Sequence, residues 1–129
     1  MAMTIAEVSE KFNVSQDTLR YYERIGLIPR VNRNKSGFRD YTEADCKWVD
    51  FILCMRQSAG LPVEALIEYV GLFQHGDDTL AARKELLVEQ RHLLSAKIDE
   101  MKKTLDRLTD KISRYEQTIV KKEKTLTSK

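Results

Sequence analysis

The sequence predicts a mainly all-α fold, in which four short helices and a small β-hairpin precede one long helix. Three observations support this prediction. Helix-capping residues recur along residues 1–76, a segment rich in turn formers interrupts them at about residues 29–41, and no glycine or proline occurs from Thr79 onward. A chain of 129 residues therefore has room for one small domain, residues 1–76, and an extended helix, residues 77–129.

Two closely spaced start signals predict the first two helices. Thr4 and Glu7 form a T-x-x-E capping box that opens a helix over about residues 5–12. Ser15 is an N-cap for a second helix over about residues 16–25. Two short helices joined by a tight turn are typical of a helix-turn-helix.

The next segment predicts a basic hairpin beside these helices. Ser36 and Gly37 are turn formers between two short runs of alternating residues, so residues 29–41 are expected to form a small β-hairpin. This hairpin carries basic side chains at Arg33, Lys35 and Arg39. Such a hairpin next to a helix-turn-helix is the layout of a winged helix.

Two further helices complete the predicted domain. Thr42 caps a helix over about residues 43–58. Gly60 ends it, and Pro62 suits the first turn of a helix over about residues 62–74.

The long helix carries a heptad pattern that predicts a dimer. Its apolar side chains recur at the two core positions of a coiled coil, and they would be left uncovered in a single chain. The seam comprises Leu80, Leu87, Leu94, Ile98, Met101, Leu105, Leu108, Ile112 and Tyr115. We therefore expect a homodimeric coiled coil, whose orientation the seam does not reveal, and a frayed Lys-rich tail over residues 121–129.

The net charge of +2 conceals a division along the chain. Residues 1–39 carry a net charge of +3, residues 40–78 carry −6 and residues 79–129 carry +5. Basic side chains are concentrated between Arg20 and Arg39. Such a segment attracts a phosphate backbone, because lysine and arginine displace its condensed counterions.

The second helix is the predicted reading element, because a major groove admits one α-helix with its N-terminal residues at the base edges. Its candidates for base contacts are Ser15, Gln16, Thr18 and Arg20. Tyr21 and Tyr22 could donate their hydroxyls to phosphates, although Tyr22 could equally belong to the core.

The stretch TIAEVSEKFNVSQDTLRYYERIGLI, the following RNKSGFRDYTEAD and the terminal long helix resemble the MerR family of bacterial transcription regulators. The resemblance covers the whole chain in order. It implies a dimer held by an antiparallel coiled coil and bound to a palindromic promoter whose spacer is too long for RNA polymerase. Activation would then come from bending and untwisting the DNA.

The resemblance also assigns roles to single residues. Arg20 would read bases, and Arg33 and Lys35 would act from the wing. Phosphates would be held by Tyr21, Tyr22 and Arg39, and Tyr41 completes the predicted DNA-binding set.

The chain is further similar to the subgroup of this family that responds to reactive aldehydes and nitrosative stress through one thiol. The similarity lies in W-V-x-F-I-x-C-M-R, residues 48–56, and the S-A-G-L-P that follows two residues later. The thiol would be Cys54, and its modification would alter packing between the DNA-binding part and the long helix. The alternative is that Cys54 is a small buried apolar residue, as most free cysteines are.

Other cysteine and metal chemistry is not expected. Cys46 is interpreted as structural or incidental, and it lies about 12 Å from Cys54 if one helix holds both, which is too far for a disulfide. Metal-sensing relatives begin the long helix with a cysteine, whereas this chain has Asp77 and Asp78 there. We therefore expect no metal and no cofactor.

Three alternatives remain open at this stage. The chain could be a regulator without thiol sensing, a coiled-coil adaptor that binds no DNA, or a thiol enzyme. An enzyme is disfavoured because His75 and His92 are far from Cys54 along the chain. No apolar run reaches the roughly 18 residues needed to cross a bilayer and no leader opens the chain, so a cytoplasmic location is expected.

Overall fold

The computed structural model describes residues 2–127, except the side chains of residues 125 and 127. It contains five α-helices in this range, and the predicted mainly helical fold is confirmed. Their bounds are Ile5–Phe12 (α1), Gln16–Ile25 (α2), Glu43–Leu53 (α3), Val63–His75 (α4) and Leu80–Thr127 (α5).

Local side-chain hydrogen bonds explain where the first helices begin and end. The Thr4 hydroxyl accepts the Glu7 N–H at 3.1 Å while the Glu7 carboxylate accepts the Thr4 N–H at 2.9 Å, which is the predicted capping box. Hydrogen bonding from the Thr4 backbone N–H, and next from the Thr4 side chain, holds the pKa of the Glu7 carboxyl below its usual value. Gly26 ends α2 at φ 85°, a left-handed conformation that glycine adopts without a Cβ penalty.

The third helix ends earlier than predicted. Its α-helical hydrogen bonding stops at Leu53, and Cys54–Ser58 form a π-helical turn instead of the end of a helix over residues 43–58. The Leu61 N–H donates to the Met55 carbonyl at 2.9 Å. This hydrogen bond spans the end of the π-helical turn before α4, and π-turns often occur at functional sites.

The wing pairs less extensively than a regular hairpin. Among residues 2–127 the antiparallel pairing is limited to two isolated bridges, Arg33 with Arg39 and Met3 with Tyr41. The Asn34 side chain accepts the N–H groups of Ser36 and Phe38. These bonds form a compact loop in place of further ladder bonds.

One apolar core joins the helices and the wing. Its fully buried residues come from α1, α2, α3, α4 and the segment after α2, and the largest are Tyr41, Leu19, Leu27, Ile28, Ile52, Leu66, Val8, Val31, Val49 and Val70. Aromatic contacts add to the α3–α4 packing, with the Trp48 and Phe73 rings 4.9 Å apart.

The chain forms two units whose boundary lies later than the predicted 76/77. The first unit extends to Gln90 and so includes the first turns of α5. In those turns Arg83 donates to the Thr79 hydroxyl at 3.1 Å and lies over the Phe73 ring. These contacts explain why the start of the long helix belongs to the first unit.

The second unit begins at Arg91, and its described residues up to Thr127 are the remainder of α5. At 1.5 Å per residue, the 48 residues of this helix extend about 70 Å. The helix continues through residue 127, although we expected fraying from residue 121, and residues 128 and 129 lie outside the described range.

Candidate nucleic-acid interface

The N-terminus of α2 presents a row of polar side chains. The Ser15 hydroxyl accepts the Thr18 N–H at 3.0 Å and lies 2.8 Å from the Thr18 hydroxyl, so the two cap the helix together. Arg20 donates to Asp17 at 2.9 Å and to Gln16 at 3.2 Å. Exposed ion pairs such as Arg20–Asp17 contribute little to stability. The Arg20 guanidinium can therefore leave Asp17 and bind a nucleic acid at little cost in free energy.

Four arginines converge beside this row. Arg20, Arg24, Arg30 and Arg39 line an open cleft of about 410 Å³ together with one acidic residue, Glu23. We call this feature the arginine cleft. Its excess positive charge favours a phosphate group, whose oxygens accept bidentate hydrogen bonds from arginine.

The wing is attached to α2 at the rim of this cleft. Arg39 Nε donates to Glu23 Oε1 at 2.6 Å, and the Val31 N–H donates to Glu23 Oε2 at 3.3 Å. The ion pair is largely shielded, since the side chains of Arg39 and Glu23 are only 18% and 13% exposed. Glu23 was not predicted as a site residue from the sequence, because its partners Val31 and Arg39 lie eight and sixteen residues away.

The tip of the wing carries an exposed basic and aromatic surface. Arg33 donates to the Gly37 carbonyl at 2.8 Å, and Gly37 has φ 84°. Lys35 is exposed, and the Phe38 side chain is 70% exposed. Phe38 was not predicted as a site residue, because it was interpreted as one position of an alternating strand. Its apolar side chain between the basic residues Lys35 and Arg39 could have indicated an exposed contact surface.

The three predicted tyrosines differ in exposure. Tyr21 is exposed and its ring packs under the Arg24 guanidinium. Tyr22 is 8% exposed, and burial raises the pKa of its hydroxyl. The prediction that Tyr41 contacts DNA needs correction, because its side chain is completely buried in the core.

Tyr41 is buried because its strand closes over the core. The Met3 N–H donates to the Tyr41 carbonyl at 2.7 Å, and the Tyr41 N–H donates to the Met3 carbonyl at 2.8 Å. This pairing turns the Tyr41 ring inward. Burial raises the pKa of the Tyr41 hydroxyl, and neighbouring Arg39 opposes this effect. The Tyr41 side chain therefore anchors the end of the wing to the core.

The seam residues of the long helix remain uncovered in the single chain. Within the second unit Ile98, Met101, Leu105, Leu108, Ile112 and Tyr115 are each between 45% and 65% exposed. Leu87 and Leu94 are half-buried, and Leu80 is exposed. Long apolar stripes of this kind mark protein–protein contacts.

The two cysteines occupy different environments. Cys54 is exposed at the start of the π-turn, so in the single chain it is not the buried apolar residue of the alternative interpretation. Cys46 is buried, its sulfur lies 3.9 Å from the Met3 sulfur, and burial raises the pKa of its thiol. Both thiols are free.

Residues 2–127 contain no group of three or more His, Cys, Asp or Glu side chains that could hold a metal ion. Within the same range, no helix has the length and apolar character required to cross a membrane.

A helix-turn-helix whose second helix and wing share an arginine-lined cleft defines a DNA-binding transcription regulator of the winged-helix class. The family model described as "MerR HTH family regulatory protein" matches residues 3–71, and the chain belongs to this family. The resemblance seen in the sequence is thus confirmed.

Three relatives support this assignment. The HTH-type transcriptional regulator AdhR of Bacillus subtilis (strain 168) is 56% identical over 92 residues, which cover 71% of this chain and 65% of AdhR. A crystal structure of a regulator assigned to the MerR family from Listeria monocytogenes superimposes with a TM-score of 0.91 at 48% identity, covering 98% of this chain and 95% of the other. HiNmlR, described as a MerR family regulator lacking the sensor domain and bound to promoter DNA, superimposes with a TM-score of 0.81 at 32% identity over 91% and 92% of the two chains.

These relatives are transcription regulators and not enzymes, which argues against the thiol-enzyme alternative. Membership of a DNA-binding family likewise argues against an adaptor that binds no DNA.

Proposed function

We propose that the protein binds a palindromic promoter element as a homodimer and activates transcription by bending and untwisting the DNA for RNA polymerase. The observation that carries this proposal is the arginine cleft between α2 and the wing. HiNmlR bound to promoter DNA is a precedent for promoter binding by a short member of the family. A cytoplasmic location follows from the proposed contact with RNA polymerase.

The exposed seam supports the homodimer. Residues 98–115 leave an apolar stripe uncovered, and a second copy of α5 would cover it with the same stripe. We propose the antiparallel arrangement that the family resemblance implies. A two-fold symmetric dimer recognises a two-fold symmetric DNA site, which is why the operator is expected to be palindromic.

The proposal can be tested by selecting bound duplexes from a random-sequence pool with the full chain. The selected sites should contain an inverted repeat, and log affinity should fall steeply and linearly with log salt concentration. Circular-permutation gel mobility should then show a bend centred on the repeat. Enrichment of no sequence, or a salt-independent affinity, would contradict the proposal.

We expect Arg20 and Lys35 to contribute to DNA binding in different ways. Arg20→Ala should reduce discrimination against mismatched operators by about 1–3 kcal/mol as well as lowering affinity, because it removes a side chain that reads bases. Lys35→Ala should weaken binding evenly across sequences, because it removes a phosphate contact. Fluorescence anisotropy with matched and mismatched duplexes separates the two effects, and equal behaviour of the two variants would refute this division of roles.

We further propose that Cys54 senses a reactive electrophile such as an aldehyde. The thiol S–H adds across the C=O bond, forming an S–C bond while the proton moves to the carbonyl oxygen, so no other reagent is needed. Cys54 begins the turn that connects α3 to α4, and Arg56 closes this turn by donating to the Leu61 carbonyl at 2.5 Å. An added group at Cys54 would alter this connection and bias the DNA-binding unit between two states.

The reactivities of the two thiols should differ strongly. Cys54 is exposed, whereas Cys46 is buried and burial raises the pKa of its thiol, so at neutral pH Cys46 is less accessible than Cys54 and less ionised than an ordinary thiol. With limiting iodoacetamide at pH 7.5, peptide mass spectrometry should find the label on Cys54 well before Cys46. Labelling of Cys46 should increase on unfolding in guanidinium chloride, and equal labelling in the native protein would contradict the assignment.

A further inference from the structure

Glu23 is the one acidic residue lining a cleft that is otherwise lined by four arginines. A carboxylate next to a phosphate site repels the phosphate, so its presence there requires a reason. The reason lies in its contacts. Its two oxygens bind two different segments of the wing, Oε2 accepting the Val31 N–H and Oε1 accepting Arg39 Nε–H.

These two contacts join both sides of the wing to one point on α2. Val31 precedes the wing loop and Arg39 follows it, and the bridge between Arg33 and Arg39 pairs the two sides. Glu23 lies in the last turns of α2, the helix that carries Arg20. A single carboxylate therefore sets the position of the wing relative to the reading helix.

The contact with Arg39 also orients its guanidinium. A guanidinium is planar and carries five N–H donors in a rigid fork, so holding Nε fixes the direction of both Nη groups. Within residues 2–127 the Arg39 side chain makes one hydrogen bond, from Nε to Glu23, and Arg39 lines the arginine cleft. Its Nη donors thus remain for a phosphate oxygen.

We infer that Glu23 is a positioning residue for DNA binding, which docks the wing on α2 and holds Arg39 in the orientation that binds a DNA phosphate. The inference rests on the proposed DNA contacts of the arginine cleft. It predicts that removing a negative charge weakens DNA binding, the opposite of what electrostatic repulsion alone predicts.

The test is a double-mutant cycle with Glu23→Ala, Arg39→Ala and the double variant in the full chain. The probe is the palindromic duplex selected by the wild-type protein. Glu23→Ala should lower affinity about 10-fold and reduce the salt slope by about 0.9, the value for one lost phosphate contact. In the Arg39→Ala background the same change should have a smaller effect, because Glu23 then has no guanidinium to orient and only its contact with the Val31 N–H is lost.

Two further variants make the test specific. Glu23→Gln should retain part of the affinity, because its amide oxygen still accepts hydrogen bonds while the charge is lost. Glu10→Ala removes one negative charge from an exposed position on α1 and should leave DNA affinity nearly unchanged. Thermal unfolding of each variant establishes that the binding measurement is made well below its Tm.

Several results would overturn the inference. They are unchanged or tighter binding by Glu23→Ala, an unaltered salt slope, and an equal loss in the Arg39→Ala background. If Glu23→Ala does not fold, the same criteria apply to Glu23→Gln, with unchanged or tighter binding as the contrary result. Failure of the wild-type chain to select any duplex would instead count against the proposed function.

Discussion

Leu105→Glu should convert the protein from a dimer to a monomer and lower its affinity for a palindromic duplex at least about 100-fold. Leu105 is 61% exposed in the single chain, so a glutamate there is tolerated by the monomer. In the proposed coiled coil the same carboxylate would be buried opposite an apolar seam without a partner, which is costly. The large loss in affinity is expected because a dimer binds both half-sites of the palindrome as one linked unit, whereas two monomers must bind them independently.

Analytical ultracentrifugation would report the mass, and anisotropy the affinity. Gln117→Glu is a matched control, because it makes the same change in charge on the same helix at a position outside the seam. The control should remain dimeric with near wild-type affinity. A dimeric Leu105→Glu variant would show that the seam does not mediate self-association.

Cys54→Ser should abolish induction by electrophiles in cells while leaving operator binding intact. Serine keeps the size of the side chain but lacks a nucleophilic thiolate, so the covalent addition cannot occur. Because Cys54 is exposed and outside the core, the substitution should not unfold the domain. A promoter–reporter fusion with and without aldehyde would measure induction, and anisotropy would measure binding.

Cys46→Ala provides the control for this experiment. Cys46 is buried and contacts Met3, so its loss should reduce stability slightly but leave induction in place. Induction retained in Cys54→Ser would favour a regulator that does not sense through this thiol. Induction lost only in Cys46→Ala would place the sensor in the core.

Features that depend on neighbours along the chain could be predicted from the sequence. The capping boxes at Thr4 and Thr42 both form with the expected partners three residues on, and Gly26 adopts the left-handed conformation that ends α2. The heptad stripe could be identified in the same way, since its period follows from helix geometry. Such features arise from side chains held close by the local backbone, so residue spacing alone predicts them.

Features that depend on distant contacts required the tertiary structure. Arg39 and Tyr41 are alternate residues of one short segment, yet Arg39 meets Glu23 at the rim of the cleft while the Tyr41 ring is sealed in the core. The π-turn at Cys54 is accompanied by a hydrogen bond from the Leu61 N–H to the Met55 carbonyl, six residues back along the chain. No pattern of spacing encodes these outcomes, because burial and long-range pairing depend on which surfaces meet when the helices and the wing pack together.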